Sequence, residues 1–204
     1  MRAALAAAAL LLAAASPAAA ESPSADMQQY TEHVLRLIQD ASVREKDTLA
    51  ALQAAVRKVA IRVFGAAEAA RQVLGRHWEA RTPAEREDFV QLFADLLEAT
   101  YIARMDGQHG FKIRYVGELI EGDRAEVRAR VFNRKGQEMI VDARLVHQGG
   151  RWLVWDVAVE GVSLVQNYRA QFDRVVRRSS YAELVRLVRA KRDELLSGKR
   201  ARAE

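Results

Sequence analysis

Through most of the first half of the chain, apolar residues recur every three or four positions and polar residues fill the positions between them. This spacing is typical of amphipathic helices. It predicts a first helix with its apolar residues between Met27 and Ala41, a second over Leu49–Val63 that ends at Gly65, and a short third that runs through Val73–Trp78. Helices therefore dominate the N-terminal half.

The strongest helical periodicity in the chain follows Thr82. The segment Thr82–Glu85 has the composition of a capping box, with proline at the first helical position. After it, apolar residues follow one face from Phe89 to Tyr101, and Asp106-Gly107 with Gly110 closes the segment. We therefore expect a fourth helix that begins at Thr82.

From Phe111 onward, apolar and polar residues alternate, which predicts β-strands. The expected strands are Lys112–Leu119, Arg124–Asn133, Gln137–Gln148 and Arg151–Glu160. The turns between them are short and rich in glycine, so consecutive strands are expected to pair as an antiparallel meander.

After Gly161 the apolar period returns to three and four. It predicts a helix that carries Val165, Tyr168 and Phe172 on one face, and then a last helix that begins at Ser180. The sequence shows no internal repeat and no linker. We therefore expect one α+β domain over residues 21–196, with a curved four-stranded antiparallel sheet covered on one face by helices.

The N-terminal segment has the pattern of a secretory signal. Residues 1–20 contain Arg2, a run of alanine and leucine, and small residues at Ala18 and Ala20. This predicts export, and the run is too short and too rich in alanine to favour a membrane anchor. The chain has no cysteine, so it offers neither disulfides nor a thiol nucleophile. A hydrophobic core must hold the fold.

The charge of the chain is basic, with 32 Lys and Arg against 27 Asp and Glu. The excess lies late in the sequence, in the last two helices and in residues 197–204, which are expected to form a basic disordered tail. A solvated helix face explains such a pattern, and attraction to an anionic lipid surface or an acidic protein is the functional alternative. Because no aromatic residues interleave with the terminal basic residues, we expect no nucleic-acid partner.

Residues for enzyme chemistry are scarce. The four histidines lie in different predicted elements without a metal-binding spacing, so no metal and no cofactor are predicted. Ser163 lacks the glycines of a nucleophile elbow and is expected to cap the helix that follows it.

Asp156 is open to two interpretations. It is either a general base within a cone-like fold or a structural residue that accepts hydrogen bonds from a turn or an arginine. Simple alternation places it on the face opposite four apolar residues of its strand, namely Leu153, Trp155, Val157 and Val159. This favours the structural interpretation and a protein that is not an enzyme.

Small residues recur on one face of two neighbouring strands. The second strand carries Ala125, Val127, Ala129 and Val131 there, and the third carries Met139, Val141, Ala143 and Leu145. Two explanations remain open from the residues alone: a helix packs closely on this face, or the small side chains leave space for a ligand.

The segment Arg151–Phe172 carries a family resemblance. Its order of motifs is Trp152, aromatic-Asp-Val at Trp155–Val157, Glu-Gly-Val-Ser-Leu at Glu160–Leu164, Asn-Tyr-Arg at Asn167–Arg169, and Gln-Phe at Gln171–Phe172. Together with Val73-Leu74-Gly75, Trp78, Phe89–Phe93 and Ala99-Thr100-Tyr101, this resembles the MlaC family, also called the toluene-tolerance family, of periplasmic phospholipid-binding proteins. The chain departs from the family pattern at Ala143, where a bulkier residue is usual, and at Ala60–Phe64, which lacks the usual proline and acidic residues.

This resemblance implies a cone-like cavity between sheet and helices that holds acyl chains. The cargo would be phospholipid, and the partners would be an inner-membrane ABC transporter with an MCE-domain protein and an outer-membrane lipoprotein–porin complex. The candidate cavity residues are Phe89, Phe93, Leu97, Tyr101, Val127, Ala129, Val131, Val141, Ala143, Leu145, Leu153, Trp155, Val157, Val162, Tyr168 and Phe172. Three alternatives are a carrier of hopanoids or other lipids, a small-molecule enzyme that uses Asp156, and a periplasmic chaperone or interaction module whose cavity is incidental.

Overall fold

The computed structural model describes residues 22–42, 48–102, 111–133 and 135–200. The predicted signal segment 1–20, the closing turn at Asp106–Gly110 and the last residues of the predicted tail, 201–204, lie outside this range.

In the described part of the chain, four α-helices precede one block of strands and two α-helices follow it. The helices are α1 Pro23–Ser42, α2 Thr48–Val63, α3 Ala66–Leu74, α4 Pro83–Tyr101, α5 Leu164–Arg178 and α6 Tyr181–Arg200. None of the described helices is long and apolar enough to cross a membrane. The predicted helices are thus present, with one change of boundary at α3.

The third helix ends earlier than the sequence pattern predicts. A 3-10 turn, Gly75–His77, follows α3, because Gly75 has φ +52° and so leaves the helical conformation. A Cβ at this position would also lie 2.8 Å from Nε of Arg169, so a larger residue would strain the backbone and displace the Arg169 guanidinium. The expectation that the helix continues to Trp78 was wrong for this reason.

Three helix starts follow the predicted capping chemistry. The Thr82 hydroxyl accepts from the Glu85 N–H, and the Glu85 carboxylate accepts from the Thr82 N–H, which completes the capping box. Ser163 caps α5, and the Ser180 hydroxyl accepts from the Glu183 N–H at the start of α6. These side-chain caps fix where α4, α5 and α6 begin.

The strands form one antiparallel sheet in the order β1-β2-β3-β4-β5. They are β1 Lys112–Glu121, β2 Arg124–Phe132, β3 Glu138–Gln148, β4 Arg151–Val159 and β5 Val162–Ser163. The fifth strand was not predicted, since its two residues are too few for a period. It is joined to β4 by the two-residue turn Glu160-Gly161, in which both residues have positive φ.

The described residues form three hydrophobic clusters, two of which contact the sheet, while the third lies between α1 and α2 around Leu52 and Val56. The larger of the two that contact the sheet joins α3, α4, α5 and α6, and it meets the sheet through β4. The smaller of these two lies between the sheet and α1, whose Met27 packs against it. Helix α6 extends to Arg200, four residues into the segment expected as tail, and the Ser197 hydroxyl donates to the carbonyl oxygens of Asp193 and Glu194 there.

Candidate functional site

One face of the sheet, which we call the inner face, is apolar along three neighbouring strands. Its residues are Ala125, Val127, Ala129 and Val131 in β2, Met139, Val141, Ala143 and Leu145 in β3, and Trp152, Val154, Val157 and Val159 in β4. The strand register places Val127, Ala143 and Val157 side by side across the three strands. The predicted small-residue face of β2 and β3 is therefore continuous and extends into β4.

Helix α1 covers part of the inner face. The Tyr115 hydroxyl donates to the Met27 carbonyl oxygen at 3.0 Å and also bonds to the Thr31 hydroxyl at 2.8 Å. The Glu118 carboxylate accepts from the Ser24 N–H at 2.8 Å. These bonds hold the N-terminal half of α1 against β1.

The burial of the inner face changes from one end to the other. At the end where β3 stops and β4 begins, which we call the closed end, Leu145 is 0% exposed and Trp152 is 4% exposed. At the end where β3 begins and β4 stops, which we call the open end, Val159 is 43% exposed and its cross-strand neighbour Val162 is 68% exposed. An apolar surface thus runs from the protein interior to solvent.

A β-bulge divides β4 and corrects the predicted parity. Leu145 pairs with Val154, whereas the preceding residue of β3, Arg144, pairs with Asp156, so Trp155 is the extra residue. The bulge shifts the side-chain alternation by one position. The expectation that Leu153, Trp155, Val157 and Val159 share one face was therefore wrong.

The bulge separates the candidate residues of β4. Val157 and Val159 belong to the inner face, but Leu153 shares the opposite face with Asp156. Trp155 packs against the helical core, and its indole nitrogen is buried without a hydrogen-bond partner among the described residues. Leu153 and Trp155 thus lie apart from the surface formed by the other strand residues.

Asp156 is a structural junction. Its carboxylate, which is 2% exposed as a residue, accepts from the Arg144 guanidinium at 2.7 Å, the Ser163 hydroxyl at 2.6 Å and the Val165 N–H at 2.9 Å. Because Ser163 also accepts from the Gln166 N–H, the carboxylate anchors the first turn of α5 to the sheet. The structural interpretation of Asp156 is confirmed, although the side chain points into the protein and not outward.

The aromatic candidates of α4 and α5 fill the helical core. Phe89 and Phe93 stack at 6.2 Å, and Phe172 meets both rings edge-on at 6.1 Å. Tyr168 packs edge-on against Phe93 at 5.4 Å. Phe89 and Phe93 are fully buried, so these rings interlock with one another and leave little free space.

A cleft of about 510 Å³ lies beside these rings, between α4, α5 and α6. Its lining includes two groups of residues. The apolar members are Leu96, Tyr101, Tyr168, Phe172, Val175, Leu184, Leu187, Val188 and Leu195, and the polar members are Thr100, Asn167, Gln171 and Lys191. Burial raises the pKa of the Tyr101 hydroxyl, and the neighbouring Tyr168 adds to the effect. The volume lies within the usual range of ligand pockets.

The predicted site residues thus fall into separate places. Val127, Ala129, Val131, Val141, Ala143, Leu145, Val157 and Val162 belong to the inner face. Phe89, Phe93, Leu97, Trp155, Tyr168 and Phe172 belong to the helical core, and Tyr101 lies at the cleft. Sequence reasoning did not identify the α6 residues of the cleft, although Leu184, Leu187, Val188 and Leu195 show the helical period that could have found them.

The profile of the MlaC protein family matches residues 28–190, which is well over half of the chain. The chain belongs to the MlaC family. A curated relative from Haemophilus influenzae, the intermembrane phospholipid transport system binding protein MlaC, is 25% identical over 151 residues, or 72% of this chain and 71% of that protein. A solved structure of the phospholipid-binding protein from Ralstonia solanacearum, in complex with a phospholipid, matches with a TM-score of 0.71 at 22% identity. It covers 86% of this chain and 99% of that chain, and it shows the shared α+β fold.

In this MlaC-family chain, the described residues include no group of three or more His, Asp or Glu side chains suited to a metal ion. His77 bonds to the Asp173 carboxylate at 2.9 Å, and the ring of His147 lies 4.9 Å from that of Trp152. Asp156 has three donors on its two oxygens, so a substrate could reach it only by breaking the start of α5. The inner face therefore offers apolar surface, and the Asp156 carboxylate serves as a structural hydrogen-bond acceptor.

Proposed function

We propose that this protein is a periplasmic carrier that binds phospholipid through its acyl chains and moves it between the inner and outer membranes. Membership of the MlaC family supports this function. The Haemophilus relative is named as the binding protein of an intermembrane phospholipid transport system, and the Ralstonia structure holds a phospholipid. The observation that carries the proposal is the apolar inner face that opens to solvent at one end of the sheet.

The acyl chains would lie along the open half of the inner face. Val131, Val141 and Val157 are partly exposed there, whereas Ala129 and Ala143 are 6% and 3% exposed and form the floor deeper in. The cleft between α4, α5 and α6 supplies a second apolar surface that starts one turn after β5. Both surfaces are available to long apolar chains.

Energetics favour a buried chain and a free head group. Each methylene that leaves water gains about 0.8 kcal/mol, so two acyl chains cannot cross an aqueous compartment exposed. A lipid that leaves a bilayer already had an apolar environment, so the protein needs only to match it. The inner face provides such a match without a charged side chain on its open half in β2, β3 or β4.

The transport role implies two docking partners. An inner-membrane ABC transporter complex with an MCE-domain protein and an outer-membrane lipoprotein–porin complex would exchange lipid with this carrier. The family assignment supports a role between membranes, and the identity of the partners is part of the proposal.

The test is chemical identification of the cargo. The mature protein is purified from the periplasmic fraction of its host without detergent, extracted with organic solvent and analysed by mass spectrometry. We expect phospholipid in a constant ratio to protein. A polycyclic lipid such as a hopanoid in that ratio would show that the cargo is not phospholipid. A protein that is purified without lipid and accepts no phospholipid from vesicles would disprove the carrier function.

A matched pair of variants localises the cargo. Val159→Asp places a charge on the open half of the inner face, where Val159 is 43% exposed, and should lower the bound phospholipid severalfold. Leu119→Asp is the control, because Leu119 is 60% exposed on the opposite face of the sheet. Both variants should melt near the wild-type temperature, since exposed positions tolerate polar residues. Equal lipid loss in both variants would remove the inner face from the site.

A further inference from the structure

The two ends of the sheet differ in charge as well as in burial. At the open end, the described strand and turn residues include four basic side chains, Lys112, Arg114, Arg130 and Lys135, against two acidic ones, Glu138 and Glu160. At the closed end, four acidic side chains, Glu118, Glu121, Asp123 and Glu126, stand against three basic ones, Arg124, Arg144 and Arg151. The open end therefore carries a local excess of two positive charges (4 − 2), and the closed end an excess of one negative charge (4 − 3).

Like charges face each other at the open end. The strand register places Arg114 directly opposite Arg130, on the face of the sheet away from α1. Like charges in this position destabilise a strand pair. Arg130 has Glu138 at 3.3 Å, with both side chains about half exposed, whereas Arg114 and Lys112 have no ion-pair partner among the described residues. An external anion would relieve this repulsion.

The other basic side chains of the described strands, apart from the exposed Arg151 at the closed end, are already paired. Arg128 binds Asp142 at 2.6 Å, Arg144 binds Asp156 at 2.7 Å, and Arg124 binds Glu68 at 2.7 Å. The positive charge that remains available on the sheet is thus concentrated at the open end.

Exposed apolar side chains share this end with the unpaired cations. Val162 and Val159 form its tip on the β5 side. The row Tyr115, Ala129, Val141, Val159 and Val162 crosses all five strands, so β5 lies about 19 Å from β1 at a strand spacing of about 4.8 Å. A surface that combines separate cations with exposed valines over this width fits the interface of an anionic bilayer.

We propose that the open end of the sheet docks directly on an anionic bilayer surface, with Arg114 and Arg130 against the lipid phosphates and the Val159–Val162 turn at the head-group level. This inference rests on the proposed function, because it brings the exposed end of the acyl-binding face to the membrane from which a chain enters. It places the membrane contact on the sheet and not on the basic residues of α5 and α6. On α6, Arg186 pairs with Glu183, Lys191 with Glu194, and Arg192 with Asp95. The exposed Arg174 and Arg178 of α5 and Arg189 of α6 have no ion-pair partner among the described residues, and they lie apart from the exposed valines of the open end.

Vesicle flotation tests the docking surface independently of cargo. The full mature protein is mixed with vesicles of phosphatidylcholine that contain either 0% or about 30% phosphatidylglycerol, and the bound fraction is measured at low and high salt. We expect binding to the anionic vesicles only, and Arg114→Gln/Arg130→Gln should reduce the partition coefficient roughly tenfold or more, since each basic residue at an anionic surface contributes about a fivefold gain. The reduction should shrink at high salt.

Two matched controls make the outcome specific. Arg174→Gln/Arg178→Gln removes the same charge from exposed positions of α5 and should leave the partition coefficient nearly unchanged. Val162→Ser should weaken binding severalfold, whereas Ile61→Ser, at a residue that is 71% exposed on α2, should not. Thermal melts establish that each variant is folded.

Three results would overturn the docking surface. These are equal losses in the sheet and α5 double variants, unchanged binding in the sheet variant, and no binding of the wild-type protein to anionic vesicles. Unchanged binding in the sheet variant would place the vesicle contact on another surface, and no binding of the wild type would leave an acidic protein as the partner of the open end. None of them affects the cargo measurement, so a protein that carries phospholipid but ignores anionic vesicles would fail only the docking proposal.

Discussion

Aromatic rings fill the helical core, whereas small residues form the inner face of the sheet. Phe89 and Phe93 are 0% exposed and contact Phe172 edge-on, so these rings pack against one another without a ligand. On the inner face, exposure rises from 0% at Leu145 to 43% at Val159. The first region holds the fold, and the second presents apolar surface that a ligand can use.

The largest effect is expected in the helical core. Phe93→Ala removes a ring that contacts three other aromatic side chains, and it should lower the free energy of unfolding by about 3–5 kcal/mol. Denaturant unfolding measures this change. Tyr101→Ala on the same helix is the control, since Tyr101 is 50% exposed and its loss should cost less than about 1 kcal/mol. Bound phospholipid per folded molecule should stay constant in Phe93→Ala, and a selective loss of lipid would place the ring in the ligand site.

A second large effect is expected where the two regions join. Asp156→Ala removes the acceptor for Arg144, Ser163 and the Val165 N–H, and it should cost about 3 kcal/mol. Asp142→Ala, which removes the partner of the more exposed Arg128, is the control and should cost about 1 kcal/mol or less. Chemical denaturation compares the two. A negligible cost for Asp156→Ala would show that the junction with α5 is held by packing alone.

The sequence predicted the helices and four strands because their periods are long and their caps use standard chemistry. The Thr82 capping box and the Ser163 cap are examples. It could not predict the bulge at Trp155, because Leu153, Val154, Trp155 and Val157 are all apolar and fit either parity. For this reason the prediction placed Leu153 and Trp155 on the same face as Val157 and Val159, which was wrong. The small residues of β2 and β3 were correctly predicted to share one face.

A smaller loss of stability is expected at acidic pH, because Glu68 of α3 binds Arg124 of β2 through its carboxylate. Burial acts to raise the pKa of Glu68, but hydrogen bonds from Arg71, Gln72 and Arg124 outweigh it and lower the pKa from 4.5 to about 2. A carboxylate with a depressed pKa stabilises the fold fully above pH 4.5, and this contribution is lost as the pH falls from 4.5 towards 2. The shift corresponds to at most about 3 kcal/mol, and solvent screening of the exposed arginines reduces it to roughly 1–2 kcal/mol.

Unfolding measured between pH 6 and pH 2.5 tests the role of Glu68. Glu68→Gln should be less stable than wild type at pH 6 and should show a flatter loss of stability below pH 4.5. The control is Glu183→Gln, whose partner Arg186 is largely exposed and whose removal should leave the profile nearly unchanged. Parallel profiles for Glu68→Gln and wild type would assign the acid sensitivity to other carboxylates.

The sharpest effect on ligand, with a stability cost that falls towards the open end, is expected from tryptophan substitutions along β3. Val141, Ala143 and Leu145 lie on the same face, at increasing depth from the open end. Leu145→Trp enlarges a 0% exposed residue of a dense core and should cost about 1–3 kcal/mol, with lipid content unchanged per folded molecule. Val141→Trp should cost less than about 1 kcal/mol and should lower the bound phospholipid sharply, because the ring occupies the surface that the acyl chains need.

Ala143→Trp measures how far the chains reach. Ala143 pairs directly with the partly exposed Val157, so we expect it to behave like Val141. A thermal melt and a lipid extraction on the same sample separate the cases, and an Ala143→Trp protein that is strongly destabilised yet retains its lipid would restrict the site to the open half of the inner face.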